Sequence, residues 1–242
     1  MQYYFITGTS RGIGKALAER ALQEENVQVI GVSRQQSIEH ERYSHHSLDL
    51  SDVGNLGSKA EALFTELSDA ERIVLINNAG TLGDVKYFGS IADDKIDQLF
   101  SLNVTAPAIL MNHFIRAYQN SEAERIIINI SSGASQYPVD GWSGYCSSKA
   151  ALDMLSEVAS LELEKQNVSN FRVYAVAPGV VDTQMQIDIR GVDEQNFSRL
   201  EKFKNYKAND ALDDPQQTAE KYFFLIDHPE KFQEVRQDVR KF

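Results

Sequence analysis

Short runs of β-branched and aromatic residues alternate along the chain with stretches whose apolar positions recur at helical spacing. Tyr3 to Thr7 is the first such run, and Gly8 stops it. Gly14 to Glu24 follows, with Ala16, Leu17, Ala18, Ala21 and Leu22 on one helical face. Val27 to Val32 and His45 to Leu50 predict the second and third strands. Ser51-Asp52 is then placed to cap a helix whose apolar face is Leu56, Ala60, Leu63, Phe64 and Leu67. Arg72 to Ile76 predicts a fourth strand, and Ala92 to Tyr118 a long helix carrying Ile96, Leu99, Phe100 and Leu110. Arg125 to Ile130 is a fifth strand. Ser143 to Lys165 is a helix with Leu152, Leu155, Val158 and Leu161, and Phe171 to Val176 is a sixth strand. Strands this short, alternating with helices, imply parallel βαβ units, hence an α/β fold with one doubly wound sheet. Residues 182–214 break the alternation. They are polar, of helical character, and predict an insertion over one edge of the sheet. Val235 to Val239 reads either as a short last strand or as part of a charged helix.

Length and charge narrow the picture. A chain of 242 residues suits one α/β core, so residues 1–242 are read as a single domain. A formal net charge of −11 argues against nucleic acid or an anionic membrane as partner, since both require a basic surface. Cys146 is the sole cysteine, which fits a reducing compartment. The first residues lack the basic and apolar regions of a signal peptide, and no stretch approaches the roughly 20 apolar residues of a membrane span. A cytoplasmic location is the expectation. His45 and His46 point to opposite faces of a strand, and the histidines are otherwise scattered, so no metal site is expected.

The first turn reads Gly8-Thr9-Ser10-Arg11-Gly12-Ile13-Gly14, between a strand and a helix. Glycines there let the backbone approach a pyrophosphate, and the helix start offers unpaired N–H groups to it. Cofactor choice is read at the end of the second strand. An NAD site places an acid there for the ribose 2′-hydroxyl. Here the residues are Ser33-Arg34 instead, a hydroxyl and a cation suited to a 2′-phosphate, with Arg11 as a second cation. NADPH/NADP+ is therefore the expected cofactor. Asp49, ending the third strand, can accept from an adenine amino group or cap the next helix. Asn77-Asn78-Ala79-Gly80 ends the fourth strand, in the crevice where such sheets bind ligands.

Tyr145 and Lys149 are spaced i, i+4 and share a helix face. A nearby ammonium stabilises a phenolate and lowers a tyrosine pKa, which makes the pair candidates for acid-base work. Ser132, in Asn129-Ile130-Ser131-Ser132-Gly133, leaves a strand at the carboxyl edge and can hydrogen-bond a carbonyl. Asn103 is polar within an apolar helix, before Pro107. It is either a satisfied helix kink or the anchor of a water that relays protons to Lys149.

Taken together, the glycine loop, Asn78-Ala79-Gly80, Asn103, Ser132, Tyr145, Lys149 and Pro178-Gly179 resemble the short-chain dehydrogenase/reductases in order and spacing. The resemblance implies a three-layer Rossmann-like fold and a tetrad of Asn103, Ser132, Tyr145 and Lys149. It implies hydride transfer to a carbonyl carbon, with Tyr145 protonating the oxygen, Ser132 orienting it, and Lys149 holding the nicotinamide ribose and tuning Tyr145. It extends the cofactor set to Gly8, Ser10, Arg11, Gly12, Ile13, Gly14, Ser33, Arg34, Asp49, Leu50, Asn78, Ala79, Gly80, Pro178, Gly179, Val181 and Thr183. A homodimer or homotetramer built on the two long helices is also implied. Gly141 to Cys146 and Asp182 to Gln186 are similar to the branch that holds sepiapterin reductases and bacterial benzil reductases, NADPH enzymes of dicarbonyl or related ketone substrates. Along that resemblance Ser132, Trp142, Gly179, Met185 and Asp238 are expected in the substrate pocket, with Tyr137 a weaker candidate. The competing reading is a non-catalytic NADP(H)-binding sensor or partner protein.

Overall fold

A computed structural model describes residues 1–242. Seven strands form one all-parallel sheet: β1 (Gln2–Thr7), β2 (Val27–Ser33), β3 (Tyr43–Ser47), β4 (Arg72–Asn77), β5 (Glu124–Ile130), β6 (Phe171–Ala177) and β7 (Arg236–Asp238). Their order is β3-β2-β1-β4-β5-β6-β7, so the winding reverses between β1 and β4. Eight helices connect and flank them: α1 (Gly12–Ala21), α2 (Leu56–Leu63), α3 (Asp93–Phe100), α4 (Ala106–Tyr118), α5 (Ser143–Lys165), α6 (Gln184–Arg190), α7 (Leu200–Ala208) and α8 (Pro215–Asp227).

Strands buried on both faces read as continuous apolar runs, and β4 shows why. Val74 and Ile76 face α1 and α8, within one core cluster. Ile73 and Leu75 face α2 and α4, within the other. This is the expected three-layer Rossmann-like fold. A third, smaller cluster joins Leu82, Val139, Trp142 and Tyr145 to Ile189, Phe197 and Leu200 of residues 182–214.

Several expected elements shift. The third strand begins at Tyr43 because the Tyr43 ring lies over Gly31 of β2, where an added Cβ would sit 2.0 Å from the phenol oxygen. Asp49 and Leu50 therefore follow the strand, and Ser51 donates to Asp49 rather than capping α2. The single helix expected from Ala92 to Tyr118 is α3 and α4 joined by a π-helical turn, Ser101–Thr105. Pro107 has no N–H to return to the Asn103 carbonyl and its ring crowds that carbonyl, so the ladder widens there. On α5, Leu152 is buried, but Val158 and Leu161, expected to face the core, are exposed. The tail makes the short strand: Arg236–Asp238 pairs with Ala175–Ala177.

The insertion is a closed excursion. Val181 and Asp213 bridge at its base, and Lys207 Nζ bonds Asp182 Oδ2 at 2.8 Å. Asp214 then caps α8 through the N–H groups of Gln216 and Gln217, with Pro215 in the first turn. No helix is long and apolar enough to cross a membrane.

Candidate active site

The crevice at the winding reversal is built around the glycine loop. Gly8 and Gly12 have φ of +74° and +58°, which side chains rarely adopt. A Cβ on Gly14 would lie 2.3 Å from Asn78 Nδ2. That amide donates to Thr7 O at 2.9 Å, while Thr7 Oγ1 accepts from the N–H groups of Asn78 and Ala79 at 2.9 and 3.0 Å. Asn78-Ala79-Gly80 is thereby latched to the loop. Helix α1 begins with no side-chain cap, so its first N–H groups and positive dipole end face the loop unspent. A glycine cradle and an uncapped helix start are what a dinucleotide pyrophosphate requires.

At the end of β2, Arg34 is exposed, as is Arg11 in the loop. Ser33 differs from expectation. It is buried, and its Oγ donates to Gln35 O at 2.8 Å and contacts His45 Nε2 at 3.0 Å. Its hydroxyl orders the strand end through these contacts, while Arg11 and Arg34 are the exposed cations nearby. Asp49 is exposed, and the hydrogen bonds from Ser51 lower its pKa.

Asn103, Ser132, Tyr145 and Lys149 converge beside Gly80 at the carboxyl edge. Gly80 makes room: a Cβ there would lie 3.3 Å from Asn103 Oδ1 and 3.7 Å from Lys149 Nζ. The Asn103 amide is occupied by Thr81 N, Thr81 O and Ser148 Oγ. Lys149 Nζ donates to Ile130 O at 2.7 Å and lies 5.9 Å from the Tyr145 ring centroid. Burial lowers the Lys149 pKa to about 8, against the pull of Asp153. Burial likewise raises Tyr145, opposed by the Ser132 hydroxyl. The lowering of Tyr145 expected from the ammonium is not found: burial raises it, and the Ser132 hydroxyl is the only opposing influence.

Ser132 and Tyr145 open into a cavity of about 230 Å³ between the sheet edge and the insertion. Ile13, Gly179, Val181, Thr183 and Met185 line it, with Trp142 and Tyr137. Trp142 is also core, stacked on Phe197 at 5.1 Å and edge-on to Tyr145 at 5.5 Å. Asp238 is the exception among expected pocket residues. Its carboxylate is taken by Arg240 through both Oδ1 and Oδ2, and it is Arg240 that reaches the cavity wall. Residue-by-residue reading missed Thr7, Ser148, Gln186, Arg199, Lys202, Phe203, Tyr206 and Arg240. Only Gln186 stood within a recognised motif, and the cavity residues beyond it carry no sequence signal.

The chain belongs to the short chain dehydrogenase family: residues 2–193 match it. It is an oxidoreductase of CH–OH and C=O groups that uses a nicotinamide cofactor. It is 36% identical over 241 residues to "Benzil reductase ((S)-benzoin forming)" of Bacillus cereus, covering 95% of this chain and 96% of that protein. Sepiapterin reductase of Mus musculus is 33% identical over 242 residues, covering 91% of this chain and 90% of that protein. A crystal structure of a short chain dehydrogenase/reductase from Saccharomyces cerevisiae superposes with a TM-score of 0.85 at 25% identity, covering 99% of this chain and 96% of that one.

Proposed function

We propose that the chain is an NADPH-dependent carbonyl reductase acting on a vicinal diketone of the benzil type. The observation that carries this is the cavity itself: Ser132 and Tyr145 open into a space walled by Trp142, Leu82 and Phe203, with no carboxylate in its lining. A pterin presents an amino-pyrimidine edge that calls for an acid, and the one acid expected there, Asp238, is held by Arg240. The relatives named benzil reductase support the same choice.

The glycine loop, Arg11, Arg34, Asn78-Ala79-Gly80, Pro178-Gly179 and Thr183 hold the cofactor, which supplies hydride when bound. Ser132 donates to the substrate carbonyl and orients it. Tyr145, kept protonated by burial, hands its proton to the oxygen as negative charge develops there. Lys149 then favours the phenolate left behind. Asn103 takes part through its backbone carbonyl, which cannot receive the usual i+4 N–H because that residue is Pro107. Its side chain is already spent on Thr81 and Ser148.

Reduction of benzil with NADPH, and little of sepiapterin, is the expected result. Tyr145→Phe abolishes turnover while cofactor binding persists. Retained activity in Tyr145→Phe refutes the mechanism, and NADPH binding with no reduction by the wild type favours the non-catalytic alternative.

A further inference from the structure

The chain carries 24 lysines and arginines against 35 aspartates and glutamates. Its cavity inverts that balance, with Arg199, Lys202 and Arg240 in the wall and no acid. All three come from the insertion and the tail. Neighbouring lysines of the insertion are paired, Lys204 with Glu201 and Lys207 with Asp182, whereas Arg199 and Lys202 are in no ion pair. Lys202 Nζ sits 5.7 Å from the Tyr206 ring centroid. Arg240, pinned by Asp238, lies within electrostatic reach of Tyr206 and Tyr137. With Arg240 balanced by Asp238, two uncompensated positive charges remain beside an apolar cavity. Lys202 is exposed and Arg199 half-buried, so both stand at the rim, where they raise the local concentration of an anion entering the cavity.

We infer that the preferred substrate is a ketone whose far end carries a carboxylate, received by Arg199 and Lys202 with Arg240 beside them. This rests on the reductase reading above and narrows it. The apolar walls take the aromatic or aliphatic body, Ser132 and Tyr145 take the reacting carbonyl, and the cations select among ketones by charge. A neutral diketone satisfies the first two requirements and leaves the third unused.

Two probes that differ only in charge test it: benzil bearing a 4-carboxylate, and its methyl ester. Trp142 is the only tryptophan and lines the cavity, so its fluorescence reports binding in the NADP+ complex without turnover. The acid is expected to bind, and to be reduced in kcat/KM, at least about fivefold better than the ester, since each contact with a solvent-exposed cation is worth up to about a factor of five. In the Arg199→Gln, Lys202→Gln double variant that ratio falls toward one. It also shrinks as salt is raised in the wild type, because rim charges are screened. Equal binding of acid and ester, or a ratio that survives the double substitution, overturns the inference. A rise in KM for NADPH with no change in the ratio also overturns it, by assigning the cations to the cofactor. Charge-selective binding without reduction of either probe upholds the anion site and removes the reductase reading. Reduction of both probes at equal rates does the reverse.

Discussion

Asn103 pairs with Thr81 as a second backbone strand would: its Oδ1 accepts from Thr81 N at 2.9 Å and its Nδ2 donates to Thr81 O at 2.8 Å. The side chain thereby fixes the segment after Gly80 against the π-helical turn, within reach of Lys149. Asn103→Ala leaves both Thr81 groups without their partner at a part-buried site, at a loss of about 2 kcal/mol of stability. Denaturant unfolding checks this. An unchanged midpoint shows that Thr81 finds other partners.

Lys149 is destabilising where it stands. Its folded pKa of about 8 lies below the ordinary 10.5, because burial penalises the ammonium. The unfolded chain therefore binds more protons between those values, and stability rises with pH across that window. Below pH 8 the penalty is complete, at most about 3 kcal/mol. Lys149→Met is expected to be inactive and yet more stable at pH 7, less about 1 kcal/mol for the bond lost at Ile130 O. The gain narrows from pH 8 to 10.5. Parallel stability curves for the two proteins across that range count against the shift.

Arg34→Ala raises KM for NADPH by about tenfold or more, and that for NADH far less, if Arg34 meets a 2′-phosphate. Steady-state kinetics with both cofactors decide it, and an equal effect on the two excludes the phosphate role.

Asp140 fastens the insertion. It accepts from Ser198 N at 2.7 Å, Ser198 Oγ at 2.8 Å and Tyr87 OH at 3.3 Å. Burial acts to raise its pKa, but those hydrogen bonds prevail and hold it below the usual carboxylate value. The stabilisation is present above the unfolded pKa and is lost as pH falls through the folded one. Asp140→Ala raises KM for the ketone more than it lowers kcat, and proteolysis near Ser198 becomes faster. Unchanged kinetics and cleavage remove the fastening role.

Met154, Val158 and Leu161 form an apolar stripe on α5, exposed by 54%, 41% and 52%. A second copy is expected to cover this stripe in a homodimer, and Leu161→Glu is then expected to give a monomer in light scattering. A wild-type protein already monomeric at assay concentration contradicts this.

The same stripe shows where reading the sequence stops. Helix α5 is apolar on two faces, and its spacing alone does not say which face meets the sheet. Leu152 and Val158 looked equivalent, and the fold buries one and exposes the other. That the glycine loop joins β1 to α1, and that Tyr145 and Lys149 share a face of α5 near Ser132, was legible because these residues stand at fixed separations in the sequence. The burial of Ser33 was not legible because a strand end looks open until the following loop folds back, as Gln35 does here. Asp238 and Arg240 lie two residues apart. Which of them reaches the cavity depends on an ion pair that no periodicity encodes.

The insertion leaves the sheet and returns to it at neighbouring points, Val181 and Asp213. Its ends are set by the scaffold, and its interior touches the scaffold at a few points: Thr183 beside Gly12, Ser198 on Asp140 and Phe197 on Trp142. Residues 184–212 thus form an exchangeable cassette: a different sequence can be spliced between the same two anchors, with the glycine loop and Tyr145 left in register, provided Phe197 and Ser198 are kept against Trp142 and Asp140. Selectivity for a new ketone is open to redesign there, with the chemical step inherited unaltered.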